Sequence, residues 1–210
     1  MTIEQIEQAY KTIRQVLNDT PLTLTQTFSQ MSDAQLYMKC ENLQKTGSFK
    51  VRGAYNKIAA LVKGQPVKQV IASSAGNHAQ GVAFAASTLG IGSTIVMPQS
   101  ASIAKITATR GYGASVVLAG SCFDDAYAKA CEIQRETGAV FVHAFDDEDI
   151  IAGQGTVAIE ILHELPTVDT VLVPAGGGGL LSGIASYLKL INPRIKVIGV
   201  QAQGADAIVQ

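Results

Sequence analysis

The chain has 210 residues, 47% of them hydrophobic and 16% charged, with a net charge of −1, a soluble globular composition for one large domain or two small ones. A pI of 6.3 offers no basic field to nucleic acid or an anionic membrane, and the lack of Trp with only 6% aromatics argues against base-stacking platforms. Met1 to Gln5 carry neither a basic nor an apolar leader signature, so export is not expected.

Ile3, Ile6, Tyr10, Ile13 and Leu17 recur at helical spacing and predict an opening helix, stopped by Asn18-Asp19-Thr20-Pro21. An alternation follows almost to the end. Strands are expected at 36–40, 69–73, 94–97, 115–119, 140–143, 170–173 and 196–201. Helices are expected at 49–62, 77–89, 102–110, 122–137, 155–165 and 180–190. Short β-branched strands alternating with helices predict an α/β fold of parallel sheets covered on both faces. The acidic cluster Asp146 to Asp149 reads as a solvated turn. Thr170 to Leu188 is uncharged, but Pro174 and four glycines break it into strand, loop and helix rather than a membrane span. The sequence stops at Gln210 just after a strand, so the C-terminal part of the fold is expected to be missing or supplied from elsewhere.

Chemistry concentrates in three segments. Gly176-Gly177-Gly178-Gly179-Leu180 joins an apolar strand to an apolar helix, where backbone N–H groups and the helix dipole favour an anion. It matches neither the nucleotide P-loop nor a dinucleotide fingerprint. Lys50 follows Gly47-Ser48-Phe49 at a helix start, where a cation opposes the dipole; beside Phe49 its pKa should be depressed, as Schiff-base chemistry requires. Lys57 and Lys63 occupy the polar face of the same helix. Ser73-Ser74-Ala75-Gly76-Asn77-His78 links a strand to a helix and can form a nest for a carboxylate. Asn77 reads either as the helix cap or as a donor to a ligand oxygen; His78 reads as a general base or, preferably, as a packed residue. The three histidines are scattered and the three cysteines (Cys40, Cys122, Cys131) form no CxxC, which points to reduced thiols in a cytoplasmic protein and no metal site. A lysine amine plus a phosphate cradle without metal ligands suggests a cofactor bearing an aldehyde and a phosphate, namely pyridoxal 5′-phosphate.

Gly47-Ser48-Phe49-Lys50-Val51-Arg52-Gly53-Ala54 resembles the cofactor-lysine motif of fold-type II pyridoxal-phosphate enzymes, in particular the threonine and serine dehydratases. Ser74-Ala75-Gly76-Asn77-His78-Ala79-Gln80-Gly81, Gly153-Gln154-Gly155-Thr156 and the glycine run are similar to further segments of that family, and the nearest branch is the threonine ammonia-lyases. The resemblance implies a tryptophan synthase β-like architecture of two parallel-sheet α/β domains: a larger one of residues 1–41 plus 146–210, incomplete at its C-terminus, and a smaller one of residues 42–145. It implies that Lys50 carries pyridoxal phosphate as a Schiff base and then removes the substrate α-proton. By the same resemblance Phe49 packs near the ring, Asn77 bonds the 3′-oxygen, and Gly176 to Leu180 cradle the phosphate. Ser74, Ala75, Gly76 and His78 would shape the substrate-carboxylate pocket.

The implied reaction is deamination of L-threonine to 2-oxobutanoate and ammonia, with activity on L-serine, leading to isoleucine or to catabolic use. Ala75 stands where the similar serine racemases carry a serine acid/base, which disfavours racemisation. Gln201 and Ala207 stand where those racemases hold a divalent cation, so none is expected. The resemblance also implies a homo-oligomer. Cysteine-synthase-like β-replacement is disfavoured by His78, where a Thr or Ser would be usual; a non-catalytic cofactor-binding remnant and a dehydrogenase are the remaining alternatives.

Overall fold

The computed structural model describes residues 1–205 and residue 208. Helix α1 (Ile3–Ile13) starts on a reciprocal cap, with Gln5 N donating to Thr2 Oγ1 at 3.3 Å and Thr2 N to Gln5 Oε1 at 2.7 Å. Its buried stripe is Ile6, Ala9 and Ile13. The regular helix ends at Ile13, although Leu17 beyond it is buried as the spacing required.

The next segment departs from expectation. Strand β2 (Tyr37–Lys39) does not join a parallel sheet; it pairs antiparallel with β1 (Leu22–Leu24), Leu24 facing Tyr37 and Leu22 facing Lys39. Helix α2 (Gln26–Ser32) lies between them and buries no residue, so it carries no apolar periodicity to betray it. A 3-10 turn at Glu41–Leu43 leads into the alternation.

Helix α3 (Lys50–Gly64), β3 (Gln69–Ser73), α4 (Asn77–Thr88), β4 (Gly92–Met97), α5 (Ile103–Gly111), β5 (Ser115–Leu118), α6 (Phe123–Thr137) and β6 (Val140–Phe141) follow in turn. Their strands form a parallel sheet in the order β5-β4-β3-β6. Val70, Ile71, Ala72, Ile95 and Val96 in its centre are fully buried, which explains why these strands are apolar and rich in β-branched residues. The chain closes with α7 (Glu148–Glu164), β7 (Thr170–Pro174), α8 (Gly179–Ile191) and β8 (Lys196–Val200), the last two strands pairing in parallel. That pair is not covered on both faces: Leu172 is 59% exposed and Ile198 45%.

Helix α7 begins seven residues before its expected start at Gly155. The acidic cluster is not a free turn. Asp147 Oδ1 accepts from Asp149 N and Ile150 N, capping the helix, and Lys57 bridges Asp147 at 2.8 Å and Asp149 at 3.0 Å. Glycines bring α7 into backbone contact with both neighbours. A Cβ at Gly153 would stand 2.5 Å from Gly53 Cα of α3, and one at Gly183 of α8 would stand 2.6 Å from Gly155 N. This is the structural content of Gly153-Gln154-Gly155-Thr156. It holds α3, which carries Lys50, and α8, which carries the glycine turn, against one shared helix.

A charged network ties the same region together. Arg52, 1% exposed, reaches Glu160 of α7 through Nη1 at 2.5 Å and Glu41 through Nη2 at 2.7 Å and Nε at 2.7 Å. Lys39 of β2 pairs with Glu160 at 2.9 Å and Glu164 at 2.6 Å and also donates to the Thr20 carbonyl. Burial alone would lower the Arg52 pKa, but hydrogen bonds and charge from Glu41 and Glu160 outweigh it and hold the guanidinium above its ordinary value.

Candidate active site

Lys50 is the first residue of α3, preceded by Phe49 and by the left-handed turn at Gly47 (φ 73°). Helix α4 packs closely on its backbone: a Cβ at Gly81 would stand 3.2 Å from Lys50 C and O, a tight contact that glycine relieves. The amine donates to the Ala144 carbonyl at 2.8 Å and lies 5.5 Å from the Phe49 ring centroid. Its acceptor is a neutral oxygen rather than a carboxylate. Burial therefore lowers its pKa, as its sequence setting predicted.

The glycine run sits between β7 and α8, and its members differ in what they need. At Gly176 a Cβ would meet open space, and Gly178 has φ 89°, a left-handed conformation at the N-cap of α8. A Cβ at Gly177 would lie 2.5 Å from Phe145 Cγ, and one at Gly179 would lie 3.0 Å from the Phe145 carbonyl. No side chain caps α8, so its first N–H groups face the turn. Phe49, Lys50, Phe145, Gly176 to Leu180, Val200 and Ala202 line a single cleft of about 350 Å³. The lysine and the glycine turn, more than 120 positions apart in sequence, thus share walls.

The Ser74–His78 loop stands at the start of α4. Gly76 N donates to Ser74 Oγ at 3.2 Å and Ser74 N to the Val96 carbonyl at 3.1 Å, so those two amides are taken inside the protein rather than offered to a nest. Asn77 does not cap the helix; Gly76 occupies that position. Instead Asn77 Oδ1 accepts from Lys105 Nζ of α5 at 2.9 Å, which fixes the amide with its NH2 turned away from the lysine. His78 is packed, as preferred from sequence: Nε2 donates to the Val142 carbonyl at 3.0 Å, Nδ1 is buried without a partner, and burial pulls its pKa down to about 4. Helix α4 meets Lys50 through Gly81, and His78 feels the Lys50 charge, but Ser74, Ala75, Gly76, Asn77 and His78 do not line the cleft that holds the glycine turn.

Sequence reasoning missed the segment that joins these parts, residues 142–147 between β6 and α7. Val142 receives His78, Ala144 receives Lys50, Phe145 lies on the glycine turn and Asp147 caps α7. An aromatic residue just ahead of the acidic cluster was the one available signal. Lys105 was missed as well, since a half-buried lysine on a helix has no distinguishing pattern.

Comparison with known proteins decides the family. A family model described as "Pyridoxal-phosphate dependent enzyme" matches residues 13–210. The chain belongs to the pyridoxal-phosphate-dependent enzyme family. An L-threonine ammonia-lyase of Thermotoga maritima is 52% identical over 209 residues, covering 100% of this chain and 52% of that protein. Among solved structures, a threonine deaminase of T.th. matches with a TM-score of 0.92 and 40% identity over 98% of this chain and 67% of its own. A maize serine racemase matches with a TM-score of 0.94 and 38% identity over 98% of this chain and 62% of its own. The chain spans about half the length of the Thermotoga relative.

The residues present fit the family's cofactor. A desolvated amine suits an aldehyde, a turn open at Gly176 and backed by a helix start without a side-chain cap suits a phosphate, and both border one cleft. Gln201 Nε2 donates to the Gly176 carbonyl at 3.4 Å, bracing the turn, while Ala207 lies outside the described residues. Among the described residues no group of three or more His, Cys, Asp or Glu is arranged to hold a metal, and no helix is long and apolar enough to cross a membrane.

Proposed function

We propose that this chain supplies the catalytic lysine, the carboxylate loop and the phosphate turn of an L-threonine ammonia-lyase, with L-serine as a second substrate. The observation that carries this reading is the shared cleft, in which a desolvated amine and a glycine turn at a helix start face one volume. Bound there, pyridoxal phosphate supplies the electron sink that makes an amino-acid α-proton removable. Lys50 would hold the cofactor through Nζ, and its amine, when free, would take that proton. Burial suits the amine to the task because it weakens the competing ammonium form.

Gly176, Gly177, Gly178, Gly179 and Leu180 would hold the phosphate through backbone N–H groups at the start of α8. Phe49 would pack beside the cofactor ring, and Asn77, its oxygen occupied by Lys105, would have its NH2 to offer to the 3′-oxygen. Ser74, Ala75 and Gly76 wall the carboxylate pocket. His78, held neutral, backs that wall and anchors Val142. Ala75 offers no second proton donor, which favours elimination over racemisation. Overall, L-threonine becomes 2-oxobutanoate and ammonia, water being lost and then regained.

The proposal extends to a division into residues 1–41 with 146–210 and residues 42–145, to a homo-oligomer and to a cytoplasmic setting. The four-stranded sheet falls in the second unit and the β7–β8 pair in the first. Incubating the protein with pyridoxal phosphate and L-threonine, and assaying 2-oxobutanoate by keto-acid derivatisation, tests the reading. Product formation that is lost in Lys50→Ala supports it; turnover of O-acetylserine with sulfide in place of threonine would overturn it in favour of β-replacement.

A further inference from the structure

Residues 142–147 contact Lys50, the glycine turn and the packed His78. His78 Nε2 donates to the Val142 carbonyl at 3.0 Å and Lys50 Nζ to the Ala144 carbonyl at 2.8 Å. The segment is also braced from within. His143 Nδ1 accepts from Phe145 N at 3.3 Å and from Asp146 N at 2.8 Å, and its ring meets the Phe145 ring edge-on at 4.8 Å. Phe145 is thereby held over the glycine turn, although 37% of it remains exposed.

The turn itself is shaped around that ring. A Cβ at Gly177 would stand 2.5 Å from Phe145 Cγ and 2.6 Å from Cε1, and a Cβ at Gly179 would stand 3.1 Å from Phe145 Cβ. At Gly176 it would touch nothing within 4 Å. Two of the four glycines therefore make room for Phe145, and approach of an anion does not by itself account for them.

We propose that Phe145 is a positioning residue of the cleft: its ring forms one wall of the glycine turn and holds the turn's N–H groups in the arrangement that takes a phosphate monoester. An apolar wall on that side also limits the water that competes for those amides, which strengthens their hydrogen bonds to an anion. This inference rests on reading the turn as the cofactor's phosphate site.

The test measures equilibrium binding of three probes by spectroscopic titration and calorimetry: pyridoxal 5′-phosphate, pyridoxal, which has the same ring and aldehyde without the phosphate, and inorganic phosphate. In Phe145→Ala, affinity for the two phosphate-bearing probes should fall by about tenfold or more, roughly one anion-site hydrogen bond's worth. Pyridoxal should change by less than about threefold, and Phe145→Leu should recover most of the loss. A residue that only supports the fold would move all three probes together. Where the alanine variant unfolds, Phe145→Val carries the same comparison.

Ligand-free thermal unfolding adds a second readout. Gly177→Ala should lower the melting temperature in the otherwise unchanged protein and do so less beside Phe145→Ala, because the crowding atoms are gone. Unchanged phosphate selectivity in a folded Phe145→Ala protein would overturn the proposal, as would equal losses for pyridoxal and pyridoxal phosphate. If the unsubstituted protein binds neither phosphate nor pyridoxal phosphate, the active-site reading fails, and this proposal fails with it.

Discussion

Lys50 and Arg52 stand two residues apart in the first turn of α3, and both are withdrawn from water, yet they meet opposite surroundings. Arg52 is surrounded by the Glu41 and Glu160 carboxylates and the Thr156 hydroxyl, so burial leaves it firmly charged. Lys50 meets the Ala144 carbonyl and the Phe49 ring, so burial weakens its hold on a proton. The same helix turn thus holds one cation firmly charged and another weakly, and the difference lies in the partners rather than in depth. Arginine suits the first task because its fork can satisfy two carboxylates at once, and lysine suits the second because its pKa yields to its environment.

That contrast can be broken most severely at Arg52. Arg52→Met should destabilise the protein by about 3–5 kcal/mol, because Glu41 and Glu160 would be left buried without their common partner. Arg52→Lys should not recover the loss, since one ammonium cannot reproduce the fork. Lys50→Met should change stability by less than about 1 kcal/mol or raise it slightly, because it removes a desolvated amine from an apolar setting. Denaturant unfolding of the three variants makes the comparison, and similar costs at both positions would erase the distinction.

His78 sharpens the point with pH. Its folded pKa, about 4, is below the value of 6.5 it has when exposed, so the unfolded chain binds the proton more readily between those values. Stability that is fully present above pH 6.5 should therefore fall as pH drops toward 4, by about 3 kcal/mol in all. His78→Gln should flatten that part of the profile, and an unchanged slope would mean that other groups produce it.

Packing effects come next. Gly153→Ala drives a methyl into the Gly53 backbone, which cannot swing away as a side chain would, and should cost about 1–3 kcal/mol by thermal unfolding. Lys57→Met should cost little, at most about 1 kcal/mol, because its bridges to Asp147 and Asp149 are partly solvated.

Much of this arrangement was legible in the chain. The β3 to α6 alternation follows its sequence pattern because the central strands β3 and β4 are buried apolar runs and turn residues separate them from the helices. The hairpin of β1 and β2 was not legible, because three-residue strands are too short to show a period and α2 buries nothing. The start of α7 was hidden because its first turn is acidic and mimics a loop, while its capping by Asp147 and pairing with Lys57 depend on a helix distant in sequence. Within the cleft, Lys50 and the glycine turn announced themselves by composition. Phe145, Ala144 and Lys105 did not, since a carbonyl acceptor, a ring lying on a glycine and a lysine holding an amide are relations between segments that no single segment records.

The central claim is that Lys50 is the amine that takes the cofactor. The most direct measurement is borohydride reduction of the protein loaded with pyridoxal 5′-phosphate, followed by proteolysis and mass spectrometry to locate the stable amine adduct. The account predicts the adduct on Lys50 and none on nearby lysines such as Lys45 or Lys57; a modified peptide that excludes Lys50 would contradict it.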